Sequence, residues 1–514
     1  MPTSTAPRAV IDLDVPGPTI SRHIYGHFAE HLGRCVYGGL WVGEDSPIPN
    51  IHGLRTDVIE ALKDIDIPNL RWPGGCFADE YHWRDGVGPR QDRPMMVNTN
   101  WGDVVEDNSF GTHEFMELCE LLGADAYITG NVGSGTVQEM SEWVDYLTRD
   151  GDSPMARLRR ANGRERPWKV PFFGIGNESW GCGGHMRPET YAAEARRYAT
   201  FVRDHDGNRI TRVACGANVD DYEWTEVLMR DLLECETCPQ AQPGPYQAIS
   251  LHSYTFTGDD FSRKGRALEP STEDWYTVFR RAWWMDELIT RHSTVMDRYD
   301  PHRRVGLVVD EWGAWWDAEE GTNPAFLFQQ NTVRDALIAS LHLDIFHRHA
   351  ERVVMANLAQ TVNVLQAPIL TDEATGAMVL TPTYWVLKMS KGHQDAQRLD
   401  LRWVDDLPEH RPGTGRPVPL VSASASRKDG RALVSLSNLD AERARRLRLD
   451  LRGARVTGDE GAVLTADALN AHNTVERPDA VVPAPFTGYT LSDGLLEVTL
   501  PRASFVTISL GLSE

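Results

Sequence analysis

The stretch PFFGIGNESWGCGG, residues 171–184, is a short apolar run that ends abruptly in polar residues. Phe172, Phe173 and Ile175 form its apolar part, and Asn177 and Glu178 follow. A run this short, flanked by Pro and Gly, predicts a strand that is buried on both faces, as in a parallel sheet. Ligands bind at the carboxyl ends of such strands in α/β proteins. Glu178 is therefore a candidate functional carboxylate, and the alternative is a solvated side chain at the start of a loop.

A second run of the same shape, GLVVDEWGAWW, occupies residues 306–316. Its aliphatic part is followed by Asp310 and Glu311, and tryptophans stand at positions 312, 315 and 316. Glycoside hydrolysis needs a carboxylic acid and a carboxylate on either side of the scissile bond, and indole faces pack well on the C–H faces of sugars. The two runs together predict that Glu178 and Glu311 form a catalytic pair for sugar chemistry. The sequence does not determine the distance between the two carboxyl groups, which separates retaining from inverting enzymes.

Composition and charge narrow the class of protein. The chain has 514 residues, 41% hydrophobic residues and a formal net charge of −22 at pH 7. A charge this negative argues against nucleic acid or an anionic membrane as a partner. The N-terminal residues lack the apolar core of a signal peptide, and no apolar run approaches the roughly 18 residues of a membrane span. We therefore expect a soluble protein of the cytoplasm with a neutral substrate.

The chain has seven cysteines, at positions 35, 76, 119, 182, 215, 235 and 238. An odd, scattered set does not predict a disulfide framework, so we expect a reducing location. Cys235 and Cys238 form a lone CxxC motif. Without a second ligand pair this motif is more typical of two cysteines at a helix end or in a loop than of a zinc site, and no metal is expected.

Apolar runs of strand type alternate with helical patterns over most of the chain. The predicted strands span residues 24–28, 69–75, 125–135, 172–178, 212–219, 248–254, 306–311 and 352–360. Eight buried strands separated by helices predict a (β/α)8 barrel, here placed at residues 18–385. Glu178 then ends strand four and Glu311 ends strand seven, so both side chains face the same end of the barrel.

The sequence pattern changes after the barrel. Short alternating runs such as ALVSLSNL and SFVTISL recur up to the C-terminus and are separated by Gly, Asp and Pro. This pattern predicts an antiparallel β-sandwich over residues 386–514. Residues 8–16 alternate in the same half-polar way, and we expect them to form a strand that joins this sandwich instead of the barrel.

Several longer motifs resemble one known family. They are HFAEHLGRCVYGG, RWPGGCFADEYHWRDGVGPR, GNESWGCGG, ISLHSY, DEWGAWW, NPAFLFQQNTVRDAL, ANLAQTVNVLQAPILT and AHNTVERPDAV. In this order they are similar to the intracellular α-L-arabinofuranosidases of glycoside hydrolase family 51, from about residue 20 to the C-terminus. The resemblance implies a retaining barrel enzyme with an Asn-Glu acid/base on strand four and a glutamate nucleophile on strand seven.

The resemblance also assigns roles to the two glutamates. It implies that Glu178 is the general acid/base and that Glu311 is the nucleophile. Glu178 must be protonated to act as an acid, and we expect the negative charge of Glu311 to raise the pKa of Glu178. Asn177 is expected to hydrogen-bond the sugar 2-hydroxyl.

Four further residues match substrate-binding positions of the family. Glu30 and Gln360 are expected to bind the furanose hydroxyls, Tyr254 to contact the nucleophile, and His252 to orient the site. Each has a structural alternative: Glu30 could pair with Arg34 or Arg71, His252 could be a core histidine, Tyr254 could pack at the barrel rim, and Gln360 could cap a strand.

Cys76 occupies a position where many family members carry an Asn that binds substrate. A thiol is a poor hydrogen-bonding group, so we expect a less polar sugar site there. Tryptophans near the predicted site could be sugar platforms or core residues, and several are expected to line the cleft. They are Trp101, Trp180, Trp312, Trp315 and Trp316.

The sequence thus favours an exo-acting, retaining α-L-arabinofuranosidase that acts on arabinan- or arabinoxylan-derived oligosaccharides. No cofactor is expected, because the mechanism uses carboxylates, and the resemblance implies a homo-oligomer, often a hexamer. Two alternatives remain open: an enzyme for another furanoside, such as β-D-galactofuranoside, or for a pyranoside, and a catalytically weak sugar-binding barrel.

Overall fold

The computed structural model describes residues 6–233, 244–258, 260–411 and 416–513. Cys235 and Cys238 lie outside these ranges, so the interpretation of the CxxC motif stays a prediction. Within the described ranges, no helix is long and apolar enough to cross a membrane.

Eight parallel strands close into a barrel. In chain order they are Gly26–Phe28, Asn69–Trp72, Asp125–Gly130, Phe172–Ile175, Thr211–Asn218, Ala248–Thr255, Gly306–Ala314 and Val353–Ala359. We call them barrel strands one to eight. Each occurs where the sequence places it, and the predicted barrel with a β-rich C-terminal domain is confirmed.

Helices follow each barrel strand and pack around the barrel. They are Thr56–Asp64, Thr112–Leu122, Val137–Thr148, Pro154–Ala161, Pro188–Phe201, Tyr222–Leu233, Thr272–Tyr299, Val333–Arg348 and Pro382–Ser390. Local sequence sets their ends. The hydroxyl of Ser271 caps the 28-residue helix after strand six, and Gly123, at φ 69°, ends the helix after strand two. Glycine adopts this left-handed conformation at a helix C-terminus without steric cost.

Within the described ranges, ten of the other strands form one sheet, and eight short strands pair in four separate two-stranded sheets. In spatial order the strands of the ten-stranded sheet are Ala484–Pro485, Arg455–Thr465, Ser504–Ser513, Arg431–Asn438, Val421–Lys428, Gln397–Trp403, Arg8–Thr19, Arg445–Arg452, Leu495–Leu500 and Tyr489–Ser492. The N-terminal strand Arg8–Thr19 lies in this sheet, antiparallel to Gln397–Trp403 and parallel to Arg445–Arg452. Side chains from both halves of the sheet share one hydrophobic core. The exact domain boundaries stay a prediction.

The helix Val333–Arg348 joins the barrel to the ten-stranded sheet, and nearly all of its residues are buried. Its polar side chains bond serines of the sheet: Ser422 Oγ donates to Asp344 Oδ2 at 2.6 Å, and Ser424 Oγ lies 2.8 Å from His347 Nδ1. Buried polar groups need such partners to offset their desolvation. The serine pattern of the strand Val421–Lys428 therefore serves the contact between the two domains.

The burial of the N-terminal strand leads to a prediction about stability. Ile11 is fully buried in the sheet core, whereas Val15 in the same strand is 57% exposed. Ile11→Ala should lower the free energy of unfolding by about 2–5 kcal/mol, because it removes buried methyl groups and leaves a cavity. Val15→Ala, the matched control, should change it by less than about 0.5 kcal/mol. Urea unfolding measures both, and equal effects of the two substitutions would contradict the placement of this strand.

Candidate active site

The two predicted catalytic glutamates meet at the carboxyl-terminal end of the barrel. Glu178 follows strand four, and Glu311 lies within strand seven. One carboxylate oxygen of each lies within 4.8 Å of the other. Retaining glycosidases hold their carboxyl groups about 5–5.5 Å apart, and inverting enzymes about 6.5–9.5 Å apart. The close approach of these oxygens favours a retaining site.

The Arg71 guanidinium is buried beneath the two glutamates. It is 1% exposed and donates from Nη1 to Glu311 Oε1 at 2.8 Å and from Nη2 to Asn177 Oδ1 at 2.6 Å. A further bond runs from its Nε to Thr129 Oγ1 at 3.2 Å. These bonds connect strands two, three and seven with the loop after strand four, so one cation orients Glu311 and Asn177 together.

His252, on strand six, bridges three carboxylates. Its Nδ1 lies 2.9 Å from Glu178 Oε1 and 3.5 Å from Glu311 Oε2. Its Nε2 lies 3.1 Å from Asp310 Oδ1, and Tyr127 OH donates to the other oxygen of Asp310 at 2.7 Å. The structure thus places His252 inside the site and not in the hydrophobic core.

Tyr254 and the nucleophile candidate are in direct contact. The hydroxyl of Tyr254 donates to Glu311 Oε2 at 2.8 Å, while Arg71 holds Glu311 Oε1. Both oxygens of Glu311 therefore accept hydrogen bonds from buried donors, which fixes the orientation of the carboxylate.

Glu30 and Gln360 line the same cavity as the two glutamates. Gln360 Nε2 donates to Glu30 Oε2 at 3.1 Å, and the Gly75 and Phe77 backbone N–H groups donate to Glu30 Oε1 at 2.9 and 3.1 Å. Arg34 instead binds the carbonyl oxygen of Thr371. Glu30 is thus held by backbone groups and an amide, and not by the arginines considered from the sequence.

The two glycines of the RWPGG motif allow a close approach to the carboxylates. A Cβ atom on Gly74 would lie 2.7 Å from Glu30 Cγ, and one on Gly75 would lie 3.0 Å from Glu311 Oε1. Side chains at these positions would displace both carboxylates. This explains why a paired glycine follows strand two.

The shared environment shifts the pKa values of these groups. Burial raises the pKa of Glu178, and the charge of Glu311 adds to this, whereas the hydrogen bond from His252 opposes it. Burial lowers the pKa of His252, but the Glu311 and Asp310 carboxylates outweigh burial and raise that pKa to about 10. Burial and Glu311 raise the pKa of Glu30 to about 7. His252 is therefore an imidazolium at neutral pH, and a raised pKa suits Glu178 to donate a proton.

The expectation of a free thiol at Cys76 is wrong. Cys76 forms a disulfide with Cys182, with the two Cα atoms 5.6 Å apart. The partners lie in the loops after strands two and four, 106 residues apart in sequence, and only barrel closure brings them together. Cys182 Sγ lies 3.7 Å from Glu178 Oε2, so the sulfur bridge forms part of the wall beside this carboxylate. Cys35, Cys119 and Cys215 are buried free thiols.

Two side-chain sets in the described ranges are spaced closely enough to hold a metal ion: Cys76, Glu178 and Cys182, and Glu178, His252 and Glu311. Both sets already have protein partners. The cysteines of the first are bonded to each other, and the second is held together by the hydrogen bond and ion pair of the His252 imidazolium.

The five candidate tryptophans divide into two groups. Trp101 and Trp315 line the cavity together with the two glutamates. Trp312 and Trp316 are 1% exposed and belong to the hydrophobic core, and Trp180 packs against that core while its Nε1 donates to Gly216 O at 3.1 Å. Proximity to a catalytic glutamate in the sequence therefore did not predict by itself which tryptophans line the cavity.

Sequence reasoning gave no role to several residues that the structure places in the site. Arg71 stands in the quoted RWPGG motif and Asp310 directly precedes Glu311, so the sequence offered a reason to expect both residues in the site. Tyr127 points from strand three to Asp310, and Leu327 and Leu365 line the cavity from distant loops. Leu327 and Leu365 stand in the quoted motifs NPAFLFQQNTVRDAL and ANLAQTVNVLQAPILT, whereas Tyr127 stands in none of the quoted motifs.

Two family models match the chain. The α-L-arabinofuranosidase 1 domain matches residues 61–254, and the α-L-arabinofuranosidase C-terminal domain matches residues 310–504. The chain is 52% identical over 492 residues to an intracellular exo-α-L-arabinofuranosidase of Bacteroides ovatus, covering 96% of this chain and 93% of that protein. It is 30% identical over 488 residues to a probable α-L-arabinofuranosidase C of Aspergillus flavus, covering 91% of this chain and 92% of that protein.

Solved structures match over nearly the whole chain. The family 51 arabinofuranosidase of Xanthomonas axonopodis pv. citri is 49% identical, with a TM-score of 0.93 over 98% of this chain and 99% of that one. An α-L-arabinofuranosidase of Thermotoga maritima in complex with arabinose is 31% identical, with a TM-score of 0.83 over 99% of this chain and 100% of that one. The barrel and its paired carboxylates are features of a glycoside hydrolase. The chain belongs to the α-L-arabinofuranosidases of glycoside hydrolase family 51.

The disulfide leads to a prediction about thiol reactivity. Without reductant, iodoacetamide should label neither Cys76 nor Cys182 even after unfolding, because their sulfurs are bonded to each other. Cys35 should react only after unfolding, because it is a buried free thiol. Peptide mass spectrometry measures the labelling, and modification of Cys76 in the native, unreduced protein would contradict the bridge.

Proposed function

We propose that this protein is a retaining, exo-acting α-L-arabinofuranosidase that removes terminal non-reducing α-L-arabinofuranosyl residues. The substrates are oligosaccharides derived from arabinan or arabinoxylan. The observation that carries this proposal is the approach of the Glu178 and Glu311 oxygens to within 4.8 Å. An approach this close favours direct attack on the sugar by one carboxylate over attack by a water held between sugar and carboxylate.

In the first step, Glu311 is the nucleophile and Glu178 is the acid. A carboxylate oxygen of Glu311 bonds to the anomeric carbon as the glycosidic C–O bond breaks, and the proton of Glu178 passes to the departing oxygen. The products of this step are a covalent arabinosyl ester on Glu311, an ionised Glu178 and a free alcohol. Burial supports the role of Glu178, because it raises the pKa of this carboxyl group.

In the second step, water replaces the alcohol. Glu178 takes a proton from that water, whose oxygen bonds to the anomeric carbon as the ester bond to Glu311 breaks. Arabinose leaves with its original anomeric configuration, and both glutamates return to their starting states. His252 remains beside both carboxylates as a cation, so it stabilises Glu178 while that group is ionised.

The remaining residues bind the sugar. Asn177 bonds the 2-hydroxyl next to the anomeric carbon, and the bond from Arg71 Nη2 to Asn177 Oδ1 supports this role because it fixes the amide. Glu30 and Gln360 bind the outer hydroxyls, and Trp101 and Trp315 supply apolar walls. Glu30 and Gln360 are 2% and 1% exposed, so the wall that they form is closed to solvent. A wall closed on this side accommodates a terminal sugar and no continuing chain, which supports exo action.

Two further expectations, one from the sequence composition and one from the family resemblance, join this proposal. We propose a cytoplasmic enzyme, supported by the word intracellular in the name of the Bacteroides ovatus relative. We also propose a homo-oligomer, with a hexamer expected. Light scattering coupled to size-exclusion chromatography measures the mass, and a monomer would contradict the second expectation.

Replacing the nucleophile tests the proposal directly. Glu311→Ala should lower kcat on p-nitrophenyl α-L-arabinofuranoside by about 10⁴-fold or more, since removing a covalent nucleophile costs at least this much in other hydrolases. Rates on a panel of p-nitrophenyl furanosides and pyranosides provide the measurement.

Each other outcome of this panel contradicts a stated part of the proposal. Retained turnover by Glu311→Ala would contradict the nucleophile assignment. Faster turnover of β-D-galactofuranoside or a pyranoside by the unaltered enzyme would contradict the substrate. No turnover of any glycoside would favour the sugar-binding alternative.

The imidazolium of His252 leads to a prediction about pH. The alkaline limb of kcat/KM reports the ionisation of the acid, and the hydrogen bond from His252 lowers the pKa of Glu178. His252→Gln removes this cation, so the alkaline limb should move to higher pH. The control is His393→Gln, because burial lowers the pKa of His393 to about 3 and its loss removes no charge. An unchanged or lower alkaline limb in His252→Gln would contradict the cationic histidine.

A further inference from the structure

Asp79 is a buried carboxylate that accepts three backbone N–H groups. It is 3% exposed and ends the short 3-10 helix Cys76–Asp79. Its Oδ1 accepts from Val132 N at 3.0 Å and from Gly133 N at 2.9 Å, and its Oδ2 accepts from Asn177 N at 3.1 Å. None of the roles described above uses this carboxylate.

The three donors come from neighbouring parts of the barrel. Asp79 lies in the loop after strand two, Val132 and Gly133 follow strand three, and Asn177 follows strand four. One side chain therefore fastens three consecutive loops at the catalytic end of the barrel. The third of these loops begins with the Asn177–Glu178 pair.

Only an acceptor fits at this position. Three N–H groups converge on the two oxygens, so an ionised carboxylate accepts all of them. An amide of the same shape would turn its own N–H₂ group toward one backbone donor. Burial raises the pKa of Asp79 to about 7, and the three donors oppose that shift because they bind the ionised form.

The backbone at Glu178 needs such a restraint. Glu178 has a φ of 37°, in the left-handed region that residues with a side chain seldom occupy. A conformation of this kind persists only where the surroundings hold it. The bond from Asn177 N to Asp79 fixes the residue directly before this turn, and hence the direction in which the Glu178 carboxyl group leaves the backbone.

The helix that carries Asp79 is itself held at its other end. Phe77 N donates to Glu30 Oε1 at 3.1 Å, and Cys76 is bonded to Cys182 in the loop after strand four. The segment Cys76–Asp79 thus touches the sugar-binding end through Glu30 and the acid/base loop through both Cys182 and Asn177.

We propose that Asp79 is a positioning residue that holds the Asn177–Glu178 turn so that the acid/base carboxyl group points at the glycosidic oxygen. The inference rests on the proposed acid/base role of Glu178. Asp79 acts through the Asn177 backbone and touches neither the substrate nor the reacting atoms. The signature of such a residue is a loss of proton donation that exceeds any loss of sugar binding.

The test compares leaving groups that need different amounts of protonation. A p-nitrophenolate departs with little help, whereas benzyl alcohol must be protonated as it leaves. Asp79→Asn should lower kcat/KM on benzyl α-L-arabinofuranoside at least about tenfold more than on p-nitrophenyl α-L-arabinofuranoside, a part of the 10²–10⁴-fold that general acid catalysis supplies. The inhibition constant of arabinose should change less than about threefold, because Asp79 does not contact the sugar.

Asp300→Asn is the matched control. Asp300 is also fully buried and accepts a backbone N–H, from Val305 at 2.8 Å, but it precedes strand seven at the opposite end of the barrel. Its substitution should lower the melting temperature without changing the ratio of the two substrates. If Asp79→Asn lowers kcat/KM on both substrates by the same factor, or leaves their ratio unchanged as Asp300→Asn should, the positioning role is wrong.

Glu178→Ala separates this inference from the proposed function. Its kcat/KM should also fall more on the benzyl than on the p-nitrophenyl arabinofuranoside, and by a larger ratio than in Asp79→Asn. If Glu178→Ala shows no such preference, the acid/base assignment fails. If it shows the preference and Asp79→Asn does not, only the positioning role of Asp79 fails.

Gly133→Ala covers the case in which Asp79→Asn does not fold. A Cβ on Gly133 would lie 2.8 Å from Asp79 Cβ and 2.9 Å from Asp79 O, so this variant displaces Asp79 and keeps its charge. It should produce the same leaving-group preference in weaker form. An unchanged ratio in a folded Gly133→Ala variant would contradict the proposal.

Discussion

The buried guanidinium of Arg71 is the constraint on which the catalytic end of the barrel depends. Three carboxylates, those of Glu178, Asp310 and Glu311, lie in one low-dielectric region, where their mutual repulsion would be costly without cations. Arg71 and the His252 imidazolium supply two positive charges, and each contacts more than one of the acidic groups or their neighbours. Burial raises the pKa of Glu178, whereas Arg71 and His252 outweigh burial and lower the pKa of Asp310, which suits a mechanism in which Glu178 carries the proton.

Most of the fold follows from local sequence patterns. Eight short apolar runs between amphipathic helices predict a barrel, because only parallel strands covered on both faces bury such runs. Glu178 and Glu311 stand out for the same reason, since acidic residues at the ends of buried strands are costly unless they have a function. The half-polar alternation of residues 8–16 suited an open sheet, and the strand Arg8–Thr19 lies in one.

Other features of the site depend on contacts between distant loops and left little trace in the sequence. Cys76 and Cys182 become partners only when the loops after strands two and four meet at the closed barrel. An odd number of scattered cysteines gave no sign of that pairing. Asp79 looks like any acidic residue of a loop until its three backbone donors are placed around it. Trp312 follows Glu311 directly, yet strand geometry turns it into the core, because successive side chains point to opposite faces.

Identifying the residue that carries the covalent intermediate tests the central claim most directly. The Glu178→Ala variant, given p-nitrophenyl α-L-arabinofuranoside, should form the intermediate with the good leaving group but hydrolyse it slowly, because the base that activates water is absent. Acid quenching and peptide mass spectrometry should then find one arabinosyl group esterified to Glu311. An arabinosyl group on any other residue, or no covalent adduct under conditions where p-nitrophenol is released in a burst, would contradict the account.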